Sequence, residues 1–132
     1  MSSLVLDASA AVELVTRSPI GDRLIELIAA TDVLWVPDGL FDIETNGTVR
    51  RLELHGPLNT AQAATARLRL SHLRLRRRRV AYVADRAWQL RHSVSFTDAC
   101  YVALAEFLGC PLLTTDVKLV NAPNLPVETV HP

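Results

Sequence analysis

Ser3-Leu4-Val5-Leu6-Asp7 is a short apolar run closed by a carboxylate, and Leu112-Leu113-Thr114-Thr115-Asp116 has the same plan far down the chain. Both runs are of strand length rather than helix length. The first leads directly into a helical pattern from about Ala8 to Val15. Outward from these two stretches, apolar runs and helical patterns alternate. Ser18-Pro19 opens a helix in which Ile20, Leu24, Leu27 and Ile28 keep helical spacing. Val33-Leu34-Trp35-Val36 reads as a second strand, closed by Pro37. The next helix runs from about Asp38 to Glu53, carries Leu40, Phe41, Val49 and Leu52, and is broken by Gly56-Pro57. Asn59 or Thr60 caps another helix, which extends to about Ser71.

From Arg67 to Arg76 the residues nearly alternate apolar and polar, as a strand would; the chain is read here as helix first and irregular after Leu73. Further helices are predicted from about Val80 to His92 and from Thr97 to Leu108. Pro111 to Thr114 is a third clear strand and Pro126 to Val130 a last one. Strands separated by helices imply right-handed crossovers and a mainly parallel sheet covered on both faces, an α/β domain of three layers, α/β/α. Ligands of such sheets bind beyond the carboxyl ends of the strands, where Asp7 and Asp116 belong.

The 132 residues fit one domain, 1–132, and with 49% hydrophobic and 21% charged residues the composition is that of a globular protein. The net charge of +0 gives no whole-molecule field for a nucleic acid, so any attraction for an anion must come from local patches. Lys118 is the only lysine, and arginine suits bidentate phosphate contacts better. Codon bias in a GC-rich genome gives the same arginine excess. Cys100 and Cys110 lack the companions of a zinc site and read as reduced core thiols, which fits a cytoplasmic protein. The N-terminus lacks the pattern of a signal peptide, and no segment approaches the length of a membrane span, so no membrane association is expected.

Four acids stand where such a fold would build a metal site: Asp7 and Asp116 after strands, Asp98 at the start of a helix, and Glu44 within one. Converging carboxylates repel one another and are costly to desolvate unless a cation joins them. Hard oxygen donors point to Mg²⁺ or Mn²⁺ rather than zinc. Capping is the competing explanation for the three aspartates, although Thr97 and Thr115 are alternative caps. A solvated helix face competes for Glu44. Asp38, Asp42, Glu13, Glu53, Asp85 and Glu106 read as surface or capping residues.

The chain resembles the PIN-domain ribonucleases, and among them the VapC-type toxins of bacterial toxin–antitoxin pairs. Four stretches carry the resemblance: Leu4-Val5-Leu6-Asp7-Ala8-Ser9-Ala10; Glu44 with Val49-Arg50-Arg51; the run from Thr97-Asp98-Ala99 to Ala105-Glu106; and Pro111-Leu112-Leu113-Thr114-Thr115-Asp116. Together they cover essentially the whole chain. The resemblance implies that Asp7, Glu44, Asp98 and Asp116 form a catalytic divalent-metal site, with Ser9 and Thr115 as polar neighbours. It also implies Mg²⁺-dependent RNA hydrolysis, a cognate antitoxin and a homodimer. Relatives often carry Asn three residues after the helix glutamate; here that position is Gly47 and Asn46 precedes it.

On that reading Asp7 and Asp98 are the first choices as direct ligands. Glu44 and Asp116 bind directly, bind through water, or orient the nucleophile. Arg76, Arg77, Arg78 and Arg79, next to Arg74, sit before a helix, where positive charge is unfavourable, so helix propensity does not explain them. RNA phosphate contact, a solvated loop and an antitoxin-binding surface are the open alternatives. His55, His72, His92 and His131 show no ligand or triad spacing, and Trp35 and Trp88 are expected in the core. Two other functions stay open: a Mg²⁺-dependent phosphatase or DNA nuclease, and a PIN-like module that binds RNA or a partner without cleaving.

Overall fold

Leu4, Val5 and Leu6 of β1 (Ser3–Leu6) are all buried, as a strand with helices on both faces requires. In the computed structural model, which describes residues 1–132, β1 is the central strand. It pairs in parallel with β2 (Val33–Asp38) on one side and β4 (Leu112–Leu113) on the other. β3 (Leu75–Arg79) lies outside β2, and β5 (Thr129–Val130) outside β4. The order is β3-β2-β1-β4-β5, parallel throughout.

Crossover handedness then assigns the layers. Passing from β1 to β2 to β3, the chain moves outward and lays α1 (Ala8–Val15), α3 (Leu40–His55) and α4 (Thr60–His72) against one another on one face. It returns from β3 to β4 in the opposite direction, so α5 (Ala84–Gln89) and α6 (Phe96–Leu108) take the other face. There α6 packs on β1, β2 and β4. α2 (Pro19–Ala29) packs on α1, and the short α7 (Val117–Val120) follows β4. The direction of winding reverses between β1 and β4, the position where open α/β sheets hold ligands. No helix is long and apolar enough to cross a membrane.

Local chemistry fixes several boundaries. Ser18 accepts from the Gly21 amide and Pro19 fills the first turn of α2. Asn59 and Gln62 form a reciprocal capping box on α4. Gly109, at φ 66°, ends α6 in the left-handed conformation.

Three expectations need correction. The segment after Leu73 is not irregular: Leu75–Arg79 is the edge strand β3. It pairs with β2 along its whole length, so tertiary pairing overrides a sequence with little strand propensity. The helix predicted from Val80 to His92 is a 3₁₀ turn at Val80–Tyr82 followed by α5 alone. Trp88 is not a core residue but is 59% exposed, with Arg91 stacked 4.6 Å from its ring; Trp35 is half-buried.

Gly21 marks a close approach between α2 and the end of α1. A Cβ there would overlap the Glu13 carbonyl, which is backbone and cannot swing aside. Gly21→Ala is therefore expected to destabilise the fold by about 1–3 kcal/mol, despite alanine's better helix propensity. Denaturant unfolding checks this; an unchanged or raised midpoint would show that the two helices are not held at this spacing.

Candidate active site

One cleft of about 350 Å³ at the carboxyl edge of the sheet is lined by Asp7, Glu44, Asp98 and Asp116 together with Ser9 and Thr115. The topology thus brings all the sequence-predicted acids and both polar neighbours to one place. β1 delivers Asp7, α3 delivers Glu44 from one face, α6 delivers Asp98 from the other, and the turn after β4 delivers Asp116. The arginines of β3 do not line this cleft.

The capping explanation separates the aspartates. Asp7 stands at the N-cap of α1 but makes no side-chain cap bond. Asp98 is in the first turn of α6, whose cap is Ser95, not Thr97. Asp116 does cap α7, accepting from the Lys118 amide at 2.9 Å. Asp7 and Asp98 are thus free for other work, and Asp116 spends one oxygen on structure.

Asp7 is 5% exposed, and its Oδ2 accepts hydrogen bonds from Ser9 Oγ at 2.8 Å and Thr114 Oγ1 at 2.7 Å. The Asp116 amide donates to the Thr114 hydroxyl at 3.0 Å, and the Thr115 amide donates to Ser9 Oγ at 3.2 Å. This web ties the end of β1 to the turn after β4. Thr114, fully buried, is the support that sequence reasoning missed; alternation was the available signal, because it turns Thr114 to the sheet face opposite Leu113. Thr115 contributes its backbone amide.

The carboxylates sense one another. Burial first, and then the Asp98 charge, push the Asp7 pKa upward against the hydroxyl hydrogen bonds. Burial raises Asp98, with Asp116 adding to it; burial raises Glu44, with Asp7 and Asp98 adding to it. Glu44 Oε1 and the Tyr101 hydroxyl are both buried and have no hydrogen-bond partner of good geometry. The two groups still interact: the hydroxyl lowers the Glu44 pKa, while burial and the Glu44 charge push Tyr101 far upward. Cys100, on the same helix turn, is pushed by burial and Glu44 up to about 11, so it remains a thiol at neutral pH.

The donor set is all oxygen, one buried carboxylate oxygen lacks any partner, and the charges repel. That chemistry fits a hard divalent cation. As the side chains stand, no three acids converge closely enough to grip one ion. Like charges in one cleft repel, and a shared cation would offset that repulsion. Three further polar side chains line the cleft: Glu13, expected on the surface, Thr48 and Arg51. Arg51 is its single basic group and donates to Thr48 Oγ1 at 3.0 Å.

Fold and cleft together define the class. The sequence pattern of the PIN domain matches residues 4–125, and the chain belongs to the PIN-domain family. Its relatives there are VapC proteins. It is 35% identical to ribonuclease VapC1 of Mycobacterium tuberculosis over 97% of this chain and 96% of that one. Among solved structures, Mycobacterium tuberculosis VapC20, a sarcin–ricin loop cleaving toxin, superposes with a TM-score of 0.69 at 23% identity, covering 98% of this chain and 99% of that one. VapBC2 from Rickettsia felis, bound to a DNA fragment from its promoter, gives 0.64 at 16% identity, over 96% and 98%. These two likenesses show the fold.

The raised pKa values carry a sign. The folded state holds the Asp7, Glu44 and Asp98 protons more tightly than the unfolded chain does. Stability therefore falls as pH rises from the ordinary carboxylate range through the raised values, and the whole penalty is present above them. Asp7→Asn keeps the shape and removes one charge. In chelator it should melt higher than the parent at pH 8, with the gap closing toward pH 4. Thermal unfolding at both pH values tests this, and a gap that widens at low pH contradicts it.

Proposed function

We propose that the chain is a metal-dependent endoribonuclease toxin, one that hydrolyses RNA phosphodiester bonds and is neutralised by a cognate antitoxin. The observation that carries this reading is the cleft: a desolvated Asp7 faces Asp98 and a Glu44 with an unpartnered oxygen, at the winding reversal of a parallel sheet. The ribonuclease names of relatives at about a third identity support the same reading.

Asp7, Glu44, Asp98 and Asp116 would hold Mg²⁺, with Mn²⁺ as a substitute. Once bound, the ion supplies Lewis acidity for water activation and for charge on the departing oxygen. The chain's own residues do the rest. Ser9 and Thr114 fix the Asp7 carboxylate by donating to one oxygen and leave the other free. The Tyr101 hydroxyl favours the charged form of Glu44 against its burial. Arg51, at the rim, offers a guanidinium to the phosphate that enters an otherwise acidic cleft. Water attack in line with the 3′ oxygen would leave a 5′ phosphate and a 3′ hydroxyl. A cytoplasmic setting, an antitoxin and a homodimer belong to the same proposal.

Asp7→Asn and Asp98→Asn should each abolish RNA cleavage while the protein stays folded. Chelation should stop the parent protein, Mg²⁺ or Mn²⁺ should restore it, and Ca²⁺ should serve poorly because it takes more ligands at longer distances. Cleavage of one RNA measured across these conditions, with DNA of the same sequence alongside, is the test. Full activity in excess EDTA with metal content checked would overturn the mechanism, and preference for the DNA would overturn the substrate.

Arg51→Ala should raise KM for RNA more than it lowers kcat, because a rim guanidinium binds the phosphate before the chemical step. Steady-state kinetics decides; an unchanged KM removes Arg51 from the substrate contacts.

A further inference from the structure

The arginine run of β3 is divided by the pleat of the strand. Arg77 points toward α3, where its guanidinium meets Asp42 at 3.0 Å and Asp38 at 3.2 Å. Arg76 and Arg78 point to the opposite face, one residue away on either side. There Arg76 lies 5.9 Å from the Trp35 ring, and Arg78 lies 5.5 Å from Trp35, 5.5 Å from Tyr82 and 5.4 Å from Phe107. Neither arginine has a carboxylate partner. Tyr82 is 61% exposed and Phe107 57%.

We propose that this face, made by Trp35, Arg76, Arg78, Tyr82 and Phe107, binds single-stranded RNA by stacking unpaired bases on its rings and pairing phosphates with its arginines. The inference rests on the ribonuclease reading above and gives the substrate a second contact outside the cleft.

Charge on an edge strand has a simpler use, since it prevents edge-to-edge pairing with another sheet. That explains the arginines but not two large exposed rings beside them. Within about 6 Å a guanidinium is attracted to a ring face, and it keeps its positive charge while doing so. A ligand for this surface must therefore carry negative charge and offer flat faces. An acidic peptide meets the first demand alone. Duplex nucleic acid keeps its base faces inside the stack. Unpaired RNA meets both, and aromatic platforms flanked by arginine are the usual means of holding it.

The position is also suitable. By register Arg78 lies opposite Pro37, near the carboxyl end of the sheet, and β3 is two strands from β1. Two strand spacings are about 10 Å. Phe107 stands nine residues along α6 from Asp98, about 13 Å, so a strand held here reaches the cleft by running along α6 toward the carboxyl edge.

The test uses the full chain carrying Asp98→Asn, so that RNA remains intact, and fluorescence anisotropy with labelled oligoadenylate of about 12 nucleotides. A strand of the same length without bases is the comparison. Tyr82→Ala with Phe107→Ala should weaken oligoadenylate about tenfold or more, and leave the abasic strand unaffected. Tyr82→Phe with Phe107→Tyr should bind as the parent does. Arg78→Gln should weaken both strands and reduce the slope of log affinity against log salt by about 0.7. Arg77→Gln should change neither.

Parent-like oligoadenylate binding by the double alanine variant overturns the proposal. Equal loss on the abasic strand overturns it too, as does a shift in oligomeric state with RNA affinity unchanged. Retained binding by the aromatic swap separates stacking from misfolding. Cleavage by the chain with Asp98 restored is scored separately: if RNA is cut but these variants bind normally, only the surface is wrong. If RNA binds here and is never cut, the ribonuclease reading is wrong and the surface stands.

Discussion

Burying the Asp7 carboxylate is the constraint on which the rest of the molecule depends. An ionised carboxylate loses its hydration there, and two hydroxyl donors restore only part of it. Those donors come from α1 and from the end of β4, so the charge cannot be housed until distant parts of the chain have met. Asp7 also sits beside two other acids whose charges oppose its own. Natural folds tolerate such local conflict at functional sites, where the surrounding structure over-determines the arrangement. Here β1 and α6 supply that surplus: Val5, Leu6 and nearly every residue of α6 from Ala99 to Ala105 are without solvent contact. The element that carries Asp98 is thus also the most deeply buried helix. A site built on such an element is held more firmly than one built on loops.

Much of this was legible because strand and helix signals were strong where the core is strong. Leu4 to Leu6, Val33 to Val36 and Leu112 to Leu113 are apolar since they are covered on both faces, and that pattern survives without tertiary knowledge. The four acids were legible for a related reason: Asp7 and Asp116 follow such segments and Asp98 opens a helix, so the topology sends them to one edge. β3 was not legible. Its side chains are arginine and its only core residue is Leu75, so what makes it a strand is the open edge of β2 and not its own propensity. Thr114 and Tyr101 were invisible as site residues because each reads as a core position. Their roles depend on which way a single hydroxyl points. Trp88 failed in the opposite sense, since a large ring on a short helix need not be buried if a guanidinium covers one face.

Glu44 shows how the site and core share atoms. The helix that carries it is only weakly one-sided: Phe41, Thr45 and Val49 are buried, while Ile43 and Leu54 are exposed. Thr45 and Thr48 bond back to the carbonyls of Phe41 and Glu44. Such bonds keep hydroxyls satisfied without side-chain partners and leave the carboxylate of Glu44 with none. Asn46, next to Gly47, does not enter the cleft; it accepts from Arg67 at 2.8 Å and donates to the Asp42 carbonyl. Gly47 does not line the cleft, and Arg51 with Thr48 is the polar pair on its α3 side.

The same pleat that buries β1 from both sides gives β3 two unlike faces. Along one strand, successive arginines meet different worlds: Arg77 finds two aspartates and pairs with them, and its hydrogen bond holds the Asp42 carboxyl below its usual range. Arg76 and Arg78 find rings, which attract a cation without cancelling it. A linear reading of four arginines cannot separate these, because identical side chains acquire their chemistry from the face they are turned to. The period of two makes the separation obligatory. Once β3 pairs with β2 in its observed register, Arg77 cannot join the exposed aromatic face, and Arg76 and Arg78 cannot reach the aspartates. A chain with no net charge thereby keeps one uncompensated positive surface, created by strand geometry rather than by an excess of basic residues.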